Sequence, residues 1–367
     1  MTGGLGPLSR TLGLAADSLQ SARMVLADGR LATVSAGGVT VTDADGEVKT
    51  YEDYDLIRAL RGGGITWGVP VSFTFSLTPT PVQFASLTAS YLIVDNGQVT
   101  GRSTLRSILG QMASLNVQWG GYISIDGAPS NSFPNDRGEI KYHLFSYGQY
   151  VQNPNFNTAI ENLRNIPTSL NGQVPVITTL STLRQYRNDV AEVEQHFTSK
   201  KNTYVMNTLL NADVITDPNK LDQFVELMMD VVNSPTVTSN YRCVGKLAGG
   251  KVGSPNSNTY VSEKMRDALF SWTCALSWDE GITREAYYID QALAFQKRLR
   301  ALGNGGVDPY YASEDLEDWR TALYGSSYYE LLNIKKTWDV DNYLWAHNAV
   351  ASDFELSCNN IRCPHRH

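Results

Sequence analysis

The sequence predicts an α+β fold, in which an antiparallel sheet is covered by amphipathic helices. Two observations predict it. Segments with period-two alternation, bounded by turn residues, indicate short strands, and longer strands in the middle of the chain alternate with segments of helical periodicity. No segment repeats at a fixed period. The composition changes near residues 81 and 302, which predicts three parts: 1–81, 82–302 and 303–367.

The first part is rich in glycine and predicts short strands and turns. Asp28 and Gly29 form a strong hairpin signal between two such strands. The predicted elements are strands over 21–27, 30–35, 39–42 and 48–51, a helix over 54–60, and a half-buried strand over 70–77. Pro79 and Pro81 are expected to end the last strand.

The middle part has longer elements. Strands are predicted over 84–93, 117–125 and 139–149, and helices are predicted over 103–115, 155–165, 218–232 and 282–302. The third helix carries an apolar stripe, and Asp217 is placed to cap its first turn. These elements predict one antiparallel sheet covered by helices.

The last part, 303–367, is crowded with aromatic residues such as Tyr311, Trp319 and Tyr328. Such crowding is typical of core packing and is also compatible with a ligand site. Cys358, Cys363, His365 and His367 fit no tetrahedral zinc spacing, so no metal is expected there. A disulfide between Cys358 and Cys363 is one alternative, and Cys243 could meet Cys274 in space.

Charge and hydropathy exclude some partners. The chain has 30 basic and 37 acidic side chains and a net charge of −7, with no basic run, so nucleic acid is not expected as a partner. No apolar stretch is long enough to span a membrane, and residues 1–10 do not resemble a signal peptide. We therefore expect a small-molecule substrate, with no nucleic acid and no membrane.

Two glycine clusters are the strongest functional signal. They comprise Gly3, Gly4 and Gly6, and 62–64 with Gly68. Glycine lets a backbone adopt positive φ and approach a ligand closely, as a loop that cradles a diphosphate or a flavin requires. Neither cluster has the strand-to-helix setting of a dinucleotide fingerprint, and tight turns are the alternative interpretation.

The residues around these clusters closely resemble the FAD-linked oxidases of the berberine bridge enzyme-like group, with a p-cresol methylhydroxylase (PCMH) type of FAD domain. The matching motifs are GGLGPLSR at 3–10, GLAAD at 13–17, VLADGR at 25–30, ALRGGG at 59–64, WGV at 67–69, YASE at 311–314, DW at 318–319, YG at 324–325, IKK at 334–336 and DN at 341–342. The segment 259–269 resembles a strand and turn of the family's substrate domain.

The resemblance implies an FAD domain in two sequence pieces, 1–81 and 303–367, with an antiparallel substrate domain inserted over 82–302. It implies FAD as the cofactor and a hydride transfer from an alcohol or similar C–H donor, with oxygen as acceptor. The residues that it assigns to the cofactor are Gly3, Gly4, Gly6, Ser9, Asp17, Gly63, Gly64, Gly68, Val69 and Ser313. Tyr122, Tyr142 and Tyr260 are candidate pocket residues by their position on strands.

The chain also departs from the family pattern. Relatives carry a Gly-Gly-His loop before the first matched motif, and this chain starts after it, so we expect an incomplete FAD domain, non-covalent FAD, and a complementing N-terminal half as a further partner. Pro70 removes an N–H that could face a flavin carbonyl, and Ser313 replaces a family Asn. The family suggests secretion. A flavin-free binding or structural module is the alternative function.

The catalytic base is expected at Glu314, where many relatives have tyrosine and fungal-like ones have glutamate. Oxidation of an alcohol requires removal of the hydroxyl proton, and burial would raise the pKa of a carboxyl toward that task. Tyr311 is the second candidate. The alternative is that Glu314 belongs to a solvated acidic turn before Trp319.

Overall fold

A computed structural model describes residues 3–64, 66–81, 83–95, 97–129, 137–148, 157–167, 173–194, 202–232, 239–255, 258–279 and 285–353. Within these ranges the chain forms two antiparallel sheets with helices, which confirms the α+β class. The predicted cysteine and histidine tail, 358–367, lies outside the described residues.

The smaller sheet has the strand order β4-β3-β2-β1-β5. Its strands are β1 (Leu19–Val25), β2 (Leu31–Ser35), β3 (Gly38–Thr42), β4 (Val48–Tyr51) and β5 (Val69–Phe75), and helix α2 (Asp55–Leu60) lies between β4 and β5. Both predicted hairpins form. In the first, the Leu26 amide donates to the Arg30 carbonyl, and Gly29 takes a positive φ of 85° in the turn.

Strand β5 corrects one expectation. The alternation over 70–77 predicted a half-buried strand, but every residue of β5 is exposed. The strand pairs with β1 along one edge. The rings of Phe73 and Phe75 lie at a centroid distance of 6.1 Å, and these two residues are 37% and 38% exposed. The alternation of apolar and polar residues predicted the strand correctly, but it did not predict that both faces of the strand are exposed.

The larger sheet has eight strands in the order β10-β6-β9-β8-β12-β13-β11, with β7 beside β6. They are β6 (Phe84–Asp95), β7 (Gln98–Val99), β8 (Trp119–Pro129), β9 (Arg137–Tyr147), β10 (Val176–Leu180), β11 (Asn202–Leu210), β12 (Ser239–Leu247) and β13 (Phe270–Trp278). Cys243 of β12 and Cys274 of β13 are directly opposite in register and form a disulfide, as the sequence allowed.

Helices cover one face of this sheet and bury its main core. They are α3 (Gly101–Ala113), α4 (Asn157–Arg164), α7 (Pro218–Met229) and α9 (Glu285–Leu302). The Asp217 carboxylate accepts from the amides of Asn219 and Lys220, which confirms the predicted cap of α7. Three further helices are α1 (Ser9–Leu12), α5 (Leu183–Glu194) and α6 (Asp213–Thr216).

The segment 259–269, expected to be a strand and a turn, instead contains the short helix α8 (Glu263–Arg266). Ser262 caps it by accepting from the Lys264 amide. Strand β13 begins only after this helix. The local capping signal at Ser262 overrides the strand expectation.

The core of the smaller sheet joins residues from distant parts of the chain. Buried side chains of β1–β3 and α2 pack with helices α10 (Trp319–Tyr324) and α11 (Tyr328–Trp338) from the C-terminal part. A buried ion pair on α11, between Lys335 and Asp339, extends this connection, because the Lys335 ammonium also donates to the Thr66 carbonyl.

Candidate functional site

The face of the larger sheet opposite its main core carries a polar region beside a small aromatic cluster, on which Tyr186 of α5 packs. We call the polar region the polar face. Residues directly opposite each other in an antiparallel pair lie on the same face, so the register places rows of polar side chains across the strands. One row contains His143 of β9, Tyr122 of β8, Lys246 of β12 and Ser271 of β13.

Further along the strands, the rows of this polar face carry other charges. One row contains Lys141 and Ser124, and the next contains Glu139, Asp126 and Arg242. Alternation along each strand sends the remaining side chains into the helix-covered core. The polar face is therefore a consequence of strand register that no single segment of sequence reveals.

A cavity of about 590 Å³ opens on the polar face. Its polar lining residues include Ser86, Thr88, Ser90, Tyr122, Ser124, Asp126, Lys141, His143, Thr178 and Arg242. Burial lowers the pKa of His143 to about 4, so its imidazole is neutral near pH 7. Hydroxyls and charged groups in such a cavity suit a polar small molecule.

The C-terminal part returns to this face through Asp308. The Asp308 amide donates to the Asn207 side-chain oxygen at 2.8 Å, and the Asp308 carboxylate accepts from Ser271 Oγ at 3.1 Å. The Asn207 amide group donates in turn to Thr273 at 2.8 Å. Burial raises the pKa of Asp308. This buried network anchors the segment that carries Tyr311 and Glu314 on the sheet.

Lys246 lies between two tyrosine rings. Its Nζ is 5.9 Å from the ring centroid of Tyr122 and 5.3 Å from that of Tyr311. A cation over an aromatic face is an attractive arrangement. The structure therefore brings the predicted residue Tyr311 to the polar face, next to Tyr122, which lines the cavity.

Glu314 and Ser313 lie just beyond Tyr311. The Glu314 side chain is exposed, and its backbone carbonyl is 3.0 Å from Nε2 of His347. Ser313 Oγ is 3.0 Å from the Tyr204 hydroxyl, which also donates to Asp315 at 2.7 Å. In this arrangement the Ser313 hydroxyl is engaged with protein groups, and the Glu314 carboxylate faces solvent.

The first glycine cluster packs beside the polar face. Leu8 contacts the aromatic cluster that contains Tyr122 and Phe145, and the Pro7 carbonyl lies directly over Gly120 of β8. Gly4 and Gly6 are accessible to solvent, whereas Gly3 and Ser9 are buried. The Ser9 hydroxyl accepts from the Gly6 amide at 2.9 Å.

Asp17, the next predicted cofactor residue, is held by an ion pair. Its carboxylate accepts from Arg266 at 2.6 and 3.0 Å and from the Leu14 amide at 2.8 Å. Both side chains of the pair are largely buried. The Asp17 carboxylate therefore joins the first glycine cluster to the segment before β13.

The second glycine cluster belongs to the core of the smaller sheet. A side chain at Gly63 would collide with the Ala59 carbonyl, and one at Gly68 would collide with Met24. Close packing explains these two glycines. Gly64 differs, because it has a φ of +92° and open space around its Cα, and Val69 is exposed at the start of β5.

The predicted cofactor residues thus divide into two sets. Gly4 and Val69 are exposed, and Gly6 and Gly64 are partly exposed, although the Gly6 amide is held by Ser9. The remaining residues are buried, as in the case of Gly63, or have side chains bonded to protein groups, as in the case of Asp17. Accessible glycine backbone near a polar cavity fits the FAD group that the family implies, because such backbone can approach a diphosphate or a ring closely. Lys246, Asp308 and the Asn207 network were not identified from the sequence. The Asp-Pro pair at 308–309 is a sequence signal for Asp308, because it is typical of the start of a short helix.

The three tyrosines expected to line a pocket have different positions. Tyr122 and Tyr142 border the cavity, although the Tyr142 hydroxyl points into the helix-covered core, 3.5 Å from the Leu163 carbonyl. Tyr260 packs in the core of the smaller sheet, under the guanidinium of Arg58.

Two further features bear on possible ligands. The described residues contain no group of three or more His, Cys, Asp or Glu side chains that could hold a metal ion. Across the same ranges, no helix has both the length and the apolar character needed to cross a bilayer.

Comparisons with known proteins bear on the family. Residues 311–351 match the family model "Berberine and berberine like". An uncharacterized FAD-linked oxidoreductase of Arthroderma benhamiae is 25% identical over 365 residues, covering 96% of this chain and 58% of that protein.

Solved structures share the fold. A VAO-type flavoprotein from Myceliophthora thermophila superposes with a TM-score of 0.75 at 19% identity, covering 96% of this chain and 60% of that one. A glucooligosaccharide oxidase from Acremonium strictum superposes with a TM-score of 0.69 at 17% identity, covering 95% and 69%. The chain thus spans about three fifths of the length of the first two of these relatives.

Proposed function

Because the chain belongs to the berberine bridge enzyme-like family of FAD-linked oxidoreductases, we propose that it contributes the substrate site of an FAD-dependent oxidase. The substrate is a small polar molecule with an oxidisable alcohol, bound on the polar face of the larger sheet. Dioxygen is the final electron acceptor. A carbohydrate-like substrate agrees with the hydroxyl-rich cavity and with the named activity of the Acremonium strictum relative.

One observation carries this proposal. Lys246 lies near the rings of both Tyr122 and Tyr311, which come from distant parts of the sequence, and Tyr122 lines the polar cavity. A phenol beside a cation and next to a cavity is a suitable general base, since a nearby positive charge favours the phenolate. Packing of aromatic residues alone would not require a lysine between the two rings.

In the proposed mechanism, hydroxyl and charged side chains of the cavity orient the substrate. The Tyr311 phenolate accepts the proton of the substrate hydroxyl and becomes a neutral phenol, and the Lys246 ammonium favours the phenolate form that this step needs. Bound FAD supplies the hydride acceptor. Glu314 is the alternative base, and it would need to turn from solvent toward the cavity to act.

The groups proposed to hold FAD are the accessible backbones of Gly4, Gly6, Gly64 and Val69. None of the five histidines in residues 1–367 lies in a Gly-Gly-His loop, so these residues are proposed to hold the flavin without a histidyl bond of their own. The exposed apolar residues of β5 are proposed to take a further polypeptide that completes the flavin domain.

The first experiment is the absorbance spectrum of the purified chain between about 300 and 550 nm, before and after addition of excess FAD and removal of the unbound fraction. Retained flavin bands, bleached by a substrate under anaerobic conditions, are the expected result. A folded chain that retains no flavin, alone and with its polypeptide partner, would contradict the proposal and favour a flavin-free binding module.

Variants then separate the two candidate bases. Tyr311→Phe is expected to slow flavin reduction by about 100-fold or more, as loss of a general base does, and Glu314→Gln by much less. Tyr310→Phe is the matched control, because the neighbouring Tyr310 ring is 78% exposed. Lys246→Met is expected to shift the pH profile of reduction to higher pH. A larger effect of Glu314→Gln than of Tyr311→Phe would identify Glu314 as the general base and contradict the proposal for Tyr311.

A further inference from the structure

The polar face has a second charged position, away from the tyrosine pair. Arg242 and Lys246 lie on the same strand and the same face, four residues apart. At about 3.3 Å per residue, their Cα atoms are separated by about 13 Å along the strand. A ligand that reached from Tyr311 to Arg242 would have to be about two sugar rings long.

The charge of Arg242 is incompletely paired. Its Nη1 is 3.5 Å from Oδ2 of Asp126, at the outer limit of a hydrogen bond, although its side chain is only 17% exposed. Its Nε is buried and has no hydrogen-bond partner among the described residues. A buried guanidinium donor without an acceptor is costly and is expected to have a partner in the working state.

Desolvation by burial lowers the pKa of Arg242, although the carboxylates of Asp126 and Glu139 act in the opposite direction. The neighbouring carboxylates therefore do not fully offset the burial of this cation. A further anion beside it would offset the remaining cost.

The two cations beside the cavity, Lys141 and Arg242, differ in how closely a carboxylate holds them. Asp126 and Glu139 lie in one row with Arg242, but the Arg242 guanidinium approaches Asp126 only to 3.5 Å. Lys141 is already paired with Glu139 at 2.7 Å, and its side chain is half exposed. Arg242 is therefore the available cation, and its planar guanidinium matches a carboxylate in a two-point hydrogen bond.

We propose that Arg242 recognises a carboxylate on the substrate, so that the site selects hydroxylated compounds of about disaccharide length with an acidic group at the end away from Tyr311. The position of the reacting end rests on the proposed function. The carboxylate site does not, because Arg242 and the cavity belong to the larger sheet and require no flavin.

The test is a binding measurement without turnover. Titration calorimetry compares cellobiose with the disaccharide in which a glucuronosyl unit replaces its non-reducing glucose, so that the two probes differ by one carboxylate. We expect the acidic probe to bind at least about 10-fold more tightly, which matches the usual strength of a charge-assisted hydrogen bond.

Two variants locate the effect. Arg242→Gln is expected to remove the preference for the acidic probe, and Arg242→Lys to keep part of it. Lys141→Gln removes the same charge from the same cavity and is expected to keep the preference. Near-ultraviolet circular dichroism tests whether each variant is folded. If Arg242→Gln is not folded, Arg242→Lys tests the role of Arg242 in its place.

Equal binding of the two probes, or binding of neither, would overturn the proposal. So would an equal loss of preference in Lys141→Gln, because the effect would then be a general attraction by positive charge. Failure of the chain to retain flavin would count against the proposed oxidase and would leave these binding results interpretable.

Discussion

Arg266 donates hydrogen bonds to both carboxylate oxygens of Asp17, at 2.6 and 3.0 Å, across 249 positions of sequence. The same guanidinium also reaches Thr259 and the Val252 carbonyl. The pair therefore fastens the first glycine cluster to the segment that precedes β13. The resemblance assigns Asp17 to the cofactor, and in the structure its carboxylate is committed to Arg266.

Loss of this pair should destabilise the fold strongly. Asp17→Ala leaves the largely buried Arg266 charge without its carboxylate, which we expect to lower the free energy of unfolding by about 3 kcal/mol. Urea denaturation measures the loss. The double variant Asp17→Ala with Arg266→Met should recover part of it, because no unpaired charge remains.

The matched control is Glu226→Ala, which removes the exposed partner of Arg102. A surface pair of this kind contributes about 1 kcal/mol or less. Equal losses at Asp17 and Glu226 would show that burial does not strengthen the Arg266 pair.

Acid should destabilise the chain through His143. Burial lowers the pKa of His143 to about 4, whereas an unfolded histidine titrates near 6.5. Between these values the unfolded chain binds the proton and the folded chain does not, so stability falls as the pH falls from about 6.5 to about 4. The full loss is at most about 3 kcal/mol.

His143→Gln isolates this contribution. Carboxylates titrate over the same range, so the relevant quantity is the difference between the parent chain and the variant in urea denaturation at several pH values. We expect the variant to lose less stability on acidification. Parallel curves for the two proteins would contradict the burial of a neutral imidazole at this position.

The disulfide between Cys243 and Cys274 should resist reduction in the folded chain. Both residues are fully buried in the larger sheet. We expect a thiol reagent to detect these two thiols after reductant treatment only when a denaturant is also present. Replacing both residues with alanine should cost about 2 to 4 kcal/mol. Release of both thiols by reductant under native conditions would contradict this prediction.

The apolar side chains of β5 should make the chain associate or bind hydrophobic dyes. Exposed apolar residues on a strand with an open edge favour such contacts. We expect Phe73→Lys to reduce the fluorescence of a bound naphthalene sulfonate dye and to reduce light scattering at high concentration. Thr74→Lys, which changes the opposite face of the same strand, is the control. Equal effects of the two variants would indicate that added charge alone is responsible.

Local signals made much of the fold predictable. Asp28 and Gly29 specify a hairpin by the backbone conformations they favour, and Asp217 specifies the start of α7 by capping its free amides. Such effects act within a few residues and can be read from one segment. The buried strand β13 was not predicted, although its core residues Phe270, Trp272 and Cys274 alternate with Ser271 and Thr273 in the period-two pattern of a strand.

The site was predictable only in part, because its residues meet through strand register. Tyr311 was identified by resemblance, but nothing in its neighbourhood shows that Lys246 lies 5.3 Å away. Likewise, the pairing of β12 with β8 places Arg242 opposite Asp126. Long-range pairings of this kind depend on the whole sheet, and the roles of Tyr311 and Glu314 remain predictions.

The shared core of the smaller sheet has a consequence for synthesis of the chain on the ribosome. Strands β1–β3 bury their apolar side chains against residues between Val307 and Ala351. More than 200 residues separate the two groups, and at about 5 to 20 residues per second the ribosome needs roughly 10 to 50 s to make them. During that interval the hairpins of the smaller sheet exist without their covering helices, while the larger sheet can already assemble. Chaperones that shield apolar strands therefore have their longest opportunity at the smaller sheet, whose strands are made before the larger sheet and are covered only after it.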